Sequence, residues 1–138
     1  MTASAKCSRC GGGKGPKFER VSYCGKCKPA VVRERKDRAH RKRVEAQYNL
    51  PPGGYDALYE AQGGRCYICT RANGSTRRLA VDHDHACCPA GGSCGKCVRG
   101  LLCKPCNRAL GHARDDAEFF ERAARYLRTP PAREVFTR

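Results

Sequence analysis

Apolar residues are sparse in this chain and fall in short groups between long polar stretches. Phe18 to Tyr23 forms a short strand-like stretch. Lys28 to Arg43 holds eight Lys or Arg against two acids, Glu34 and Asp37. Pro29 stands where a helix can begin, and no Pro or Gly interrupts Ala30 to Leu50. A basic helix is therefore predicted there, too poor in apolar side chains to be buried. Pro51, Pro52, Gly53 and Gly54 break it. Tyr55 to Gln62 then reads as a short helix with Leu58, Tyr59 and Gln62 on one face, ended by Gly63 and Gly64. Arg78 to Val81 is the best strand in the chain, and Val98 to Leu102 is a second strand-like stretch. Asn107 to His112 predicts a short helix. Ala117 to Arg128 predicts a last one, opened by Asp115 and Asp116, with Phe119, Phe120, Ala123, Tyr126 and Leu127 as its buried side. Pro130 and Pro131 stop it, and the remainder reads as tail.

This pattern cannot fold on apolar burial alone. Leu, Ile, Val and Phe number 19 of 138 residues, a level at which composition by itself indicates disorder. The 12 Cys reverse that expectation, because a chain poor in core and rich in thiols is held by disulfides or by structural metal. The opening MTASAKCSRC lacks the apolar segment of a secretory signal, and no later run approaches a membrane span. Ten of the Cys form five C-x-x-C pairs, the spacing with which two thiolates grip one zinc ion. A reduced, intracellular zinc protein is the expected class.

The formal charge of +15 would fall to +9 if twelve thiolates held three zinc ions, and the chain would still be basic. A basic chain without a membrane segment most often meets a polyanion, and nucleic acid leads. Cys7, Cys10, Cys24 and Cys27 bracket a Gly-rich interval and suit a four-Cys zinc ribbon over residues 1–29. Residues 30–50, with Arg41, Lys42 and Arg43, read as a basic linker helix that either tracks phosphates or is merely solvated.

The chemistry concentrates further on. Cys66/Cys69 and Cys103/Cys106 bracket a strand, a loop, a second strand and the start of a helix, so one zinc ion on both knuckles would pin a hairpin against that helix. Asp82, His83 and Asn107 could then face one small space. A carboxylate and an amide oxygen suit Mg²⁺ (or Mn²⁺), and a neutral imidazole can activate water. Side chains alternate along a strand, so adjacent Asp82 and His83 converge only if the strand ends or bends there. Arg99, Lys104 and Arg108 flank the site and could hold a DNA backbone.

The stretches YDALYEAQGGRCYIC from Tyr55, VDHDH from Val81 and VRGLLCKPCNRALG from Val98 resemble the HNH, or ββα-metal, nucleases. Among these the chain is most similar to the recombination endonuclease VII family, over about Arg41 to Arg128. The resemblance implies a zinc-stabilised α+β fold with a ββα-metal core and flanking helices over residues 51–128, behind the ribbon and followed by a tail at 129–138. It implies Cys66, Cys69, Cys103 and Cys106 on structural zinc, Asp82 and Asn107 on Mg²⁺, His83 as general base and His85 positioning the scissile phosphate. The loop Ala86 to Cys97 is enlarged and adds Cys87, Cys88, Cys94 and Cys97 as a third zinc set, a disulfide or free thiols, since adjacent Cys87 and Cys88 do not easily share one ion.

Other roles stay open for some of these residues. Asn107 abuts a helix start and could be an N-cap. His85 could join Cys88, Cys94 and Cys97 on zinc. His112, at a predicted helix end, reads as a surface side chain. Two function classes follow: a metal-dependent DNA endonuclease of low sequence specificity, or a non-catalytic zinc-ribbon DNA-binding or regulatory protein in which DHDH is only a turn. DNA is the expected partner. A homodimer is compatible with the sequence but not indicated by it.

Overall fold

The computed structural model describes residues 6–12, 17–18 and 21–136. It is a small α+β structure that divides into two compact units, residues 1–43 and 44–138. The division falls inside the expected linker helix.

In the first unit, strands β1 (Lys17–Phe18) and β2 (Val21–Ser22) pair antiparallel. They occupy part of the expected Phe18–Tyr23 stretch, whose positions 19 and 20 lie outside the described residues, as do 1–5 and 13–16 of the expected ribbon. Helix α1 (Lys28–Gln47) crosses the division between the units. Only Val44 of it is buried, as expected from its composition. It stops short of Leu50 because Asn49 turns into the left-handed region at φ 48°, a role that Asn tolerates.

The second unit continues with α2 (Gly54–Ala61), β3 (Ala80–His83), β4 (Val98–Leu102), α3 (Lys104–His112), α4 (Ala117–Arg128) and α5 (Pro131–Phe136). Strands β3 and β4 pair antiparallel, and α3 packs on β3. The core is small: Val44, Tyr55, Cys66, Leu79, Val81, Leu101 and Leu102. Gln62 extends it in an unexpected way. Its amide accepts from the Leu101 N–H at 2.7 Å and donates to the Leu101 carbonyl at 2.9 Å, satisfying the free edge of β4 as a third strand would. A Cβ on Gly100 would lie 2.9 Å from that amide oxygen, so a larger residue there would push the Gln62 amide aside.

Three expectations are corrected. Strand β3 runs on through Asp82 and His83 instead of ending at Val81. The apolar side of α4 is not buried: Phe119, Tyr126 and Leu127 are 47, 61 and 75% exposed, and no α4 residue joins the core. The core is closed by α1, α2 and the Cys66 knuckle, which leaves α4 little area to cover. Within the expected tail, residues 131–136 form α5, because Pro131 is a good first residue for a helix; residues 137 and 138 lie outside the described residues.

Candidate active site and metal centres

The cysteines gather into three sets, Cys7/Cys10/Cys24/Cys27, Cys66/Cys69/Cys103/Cys106 and Cys87/Cys88/Cys94/Cys97, with sulfurs within 4.8 Å of one another in each. Four sulfurs set tetrahedrally at about 2.3 Å from one ion lie about 3.8 Å apart. The close pairs match that spacing: Cys10–Cys24, Cys69–Cys103 and Cys87–Cys94 are each 3.8 Å apart, far from the roughly 2.05 Å of a disulfide. Adjacency does not keep Cys87 and Cys88 apart from a common centre, since their sulfurs are 3.9 Å from each other. The loop set consists of four Cys, and His85 is not in it.

Electrostatics explains why each set asks for a cation. Backbone N–H groups of Ala72 and Arg71 hold the Cys69 thiol down to about 6, while burial and the neighbouring sulfurs push Cys106 up to about 12. In the loop, the backbone of Cys97 and Lys96 lowers Cys94 to about 7, and the Cys94, Cys88 and Cys97 side chains push Cys87 up to about 12. Crowded thiols cannot all ionise together unless positive charge is placed among them. All three sets could hold zinc.

The DHDH motif sits where the sheet is irregular. Asp82 pairs with Gly100 and His83 with Val98, so Arg99 is the extra residue of a β-bulge. Beside it, Asp82, His83, His85 and Asn107 line one cleft of about 230 Å³, together with Tyr48, Val81 and residues 89–91 of the loop. Asp82 and His83 are 4 and 5% exposed. The His83 Nε2 lies 3.0 Å from the Cys88 carbonyl, and its ring meets that of Tyr48 edge-on at 5.6 Å. The rings of His83 and His85 are 4.7 Å apart.

Asn107 lies inside α3, whose N-cap position belongs to Cys103, so the capping role is excluded. Its side chain makes no hydrogen bond among the described residues. His112 ends α3 on the surface, as expected.

Arg99 is differently employed from the expected backbone contact. Its Nε and NH2 donate to the two Asp82 oxygens at 2.7 and 3.2 Å, and NH2 also reaches Asp115 Oδ2 at 3.1 Å. Asp115 in turn accepts from the His85 Nδ1 at 3.0 Å. Burial pushes the Asp115 carboxyl up, but the hydrogen bonds from His85 and Arg99 and the Arg99 charge outweigh it and hold the group below its ordinary value. In the sequence Asp115 reads only as a helix opener. One sign points further: a helix needs a single capping acid, and Asp116 takes that place by accepting from the Phe119 N–H at 3.0 Å.

Lys104 and Arg108 line a second groove, of about 560 Å³, with Arg71 and Arg77; among the described residues no acidic one lines it. Arg41, Lys42 and Arg43 are exposed on α1 in the first unit, where Arg43 meets the His40 ring at 3.3 Å.

A cysteine-framed α+β unit with carboxylate, amide and imidazole groups in one cleft is the class that these observations define. The chain belongs to the recombination endonuclease VII family, which it matches over residues 41–129. It is also similar to the Gene 59 proteins of Mycobacterium phages L5 and D29, at 52% identity over 94 residues in each case. That alignment covers 67% of this chain and 52% of each relative, so the chain spans about half the length of the curated relatives it matches. No solved structure matches significantly.

Proposed function

We propose that the chain is a metal-dependent DNA endonuclease of HNH, or ββα-metal, type, which hydrolyses phosphodiester bonds in duplex or branched DNA with low sequence specificity. The observation that supports this most is the shared cleft, where a buried carboxylate, an uncommitted amide and two imidazoles converge. The donor set fits a hard divalent cation, for which carboxylate and amide oxygens are the preferred ligands. Mg²⁺ or Mn²⁺ held by Asp82 and Asn107 would offset the negative charge that builds on the non-bridging and leaving 3′ oxygens.

The protein groups divide the remaining work. A carbonyl oxygen only accepts, so the Cys88 contact requires the hydrogen of His83 on Nε2. In the neutral ring the lone pair is then on Nδ1, the atom that takes the proton of the attacking water. Asp115 fixes the other imidazole in the same manner, accepting from His85 Nδ1 and leaving Nε2 for a phosphate oxygen. Arg99 holds the Asp82 carboxylate in place with two hydrogen bonds. Arg71, Arg77, Lys104 and Arg108 hold the backbone along the basic groove, and Arg41, Lys42 and Arg43 bind further phosphates; such contacts carry no sequence information.

The capture of both Asp82 oxygens by Arg99 is the one observation that favours a non-catalytic DNA-binding protein, because it would make DHDH a structural turn. Supercoiled plasmid separates the two readings. Nicking that requires Mg²⁺ or Mn²⁺ and stops with chelator supports the nuclease; mobility shifts without strand breaks, in either condition, refute it.

A further inference from the structure

The loop from Asp84 to Cys97 walls the cleft yet has almost nothing apolar with which to hold itself. Its residues are DHACCPAGGSCGKC, and none of them belongs to the core. Its order comes from elsewhere. On one side it is pinned to the end of α1: Ser93 Oγ donates to the Tyr48 carbonyl at 2.7 Å, Asn49 Nδ2 donates to the Ser93 carbonyl at 2.7 Å, and Gln47 Nε2 donates to the Gly91 carbonyl. The backbone approach is close enough that a Cβ on Gly92 would lie 2.7 Å from the Gln47 carbonyl oxygen. At its two ends, Asp84 binds both branches, donating its N–H to the Cys97 carbonyl and accepting from the Cys88 N–H, each at 3.0 Å. The four sulfurs lie between these anchors.

We propose that Cys87, Cys88, Cys94 and Cys97 bind a zinc ion whose task is to position His83, because Cys88 contributes its sulfur to the metal set and its main-chain carbonyl to the His83 ring. The spacing of the sulfurs, 3.8 and 3.9 Å, is that of thiolates around one ion. Zinc would replace the missing apolar core of the loop and fix the peptide at Cys88, and with it the tautomer and direction of His83. Cys88 is thus a positioning residue. The zinc-binding half of this proposal stands on the loop geometry alone, whereas the catalytic half rests on His83 being the general base.

The test uses the full chain and two variants, Cys94→Ala and Cys94→His. Elemental analysis should find three zinc ions in the wild type, two in Cys94→Ala and three in Cys94→His, since an imidazole can replace a thiolate on zinc. Cobalt-substituted protein should lose the loop share of its thiolate-to-metal absorbance in Cys94→Ala. At saturating DNA and Mg²⁺, Cys94→Ala should lower kcat about 10²-fold, the usual contribution of a general base, with KM little changed, and Cys94→His should recover most of it. Two zinc ions in the wild type overturn the proposal, as does a Cys94→Ala protein that loses one zinc and keeps its kcat. A Cys94→Ala chain that fails to fold overturns it too, because the site would then hold the fold and not the histidine. Three zinc ions in a wild type that cuts nothing would refute the nuclease reading and the positioning role, and leave the loop site standing.

Discussion

Arg99 meets Asp82 with two hydrogen bonds, 2.7 and 3.2 Å long, from the very residue that makes the sheet irregular. The carboxylate is 4% exposed, so loss of Arg99 would leave it buried without its ion-pair partner. Arg99→Ala should destabilise the protein by about 2 kcal/mol, less than a fully buried pair would lose because the guanidinium is partly solvated. A divalent cation in the cleft would take over the counter-charge. Thermal melts of the variant should therefore rise with Mg²⁺ by clearly more than wild-type melts do, and equal rises in both would show that Asp82 does not face the cation.

His83→Ala should lower cleavage by at least about 10²-fold while zinc content, folding and DNA affinity stay near wild type. Plasmid nicking and elemental analysis on one preparation check both halves. Wild-type rates would remove His83 from the mechanism.

Asp115 makes a pH prediction. Its folded carboxyl lies below the ordinary value, held by His85 and Arg99 against the opposing effect of burial. The ionised group therefore stabilises the fold fully above the ordinary carboxylate range, and that contribution is lost as the pH falls through the lower folded value. Asp115→Asn should be less stable than wild type at neutral pH, with the gap closing in acid. Denaturant titrations over a pH series would measure it, and a gap that widens in acid would contradict the assignment.

Cys103→Ser should unfold the second unit outright. Structural zinc contributes on the order of 10 kcal/mol to folding, comparable to the whole stability of a small domain. Circular dichroism should show loss of helix together with loss of zinc.

The first unit should serve DNA affinity and not chemistry, but the cut must respect the fold. Val44 belongs to the core, and Gln47, Tyr48 and Asn49 anchor the cleft loop, so removal of residues 1–50 would damage the site while removal of 1–43 should not. The 44–138 protein should keep its kcat, bind DNA more weakly and show a shallower dependence of log affinity on log salt, by about 0.9 for each phosphate that it no longer neutralises. An unchanged slope would make the basic segment a solvated arm.

What was legible in the sequence is what short-range geometry determines. C-x-x-C spacing places two sulfurs on one turn whatever surrounds them, so the knuckles at Cys66/Cys69 and Cys103/Cys106 could be read directly. Pro and Gly marked the helix ends to within a few residues, as at Gly54 and Arg128. The candidate cleft residues Asp82, His83, His85 and Asn107 were also legible, as types suited to one chemistry. The tertiary structure decided what each of them touches. A bulge of one residue in β4 sets which way Arg99 turns, since a shift by one in a strand changes the face of the residues beyond it. Asp115 reaches His85 across 30 positions, and Arg99 turns inward to two carboxylates when composition alone would send it to solvent. Helix α4 departs from its expected burial for a related reason: periodicity shows that a helix has an apolar side, but whether that side is covered depends on how much core remains to be closed, and here α1, α2 and a cysteine knuckle had already closed it.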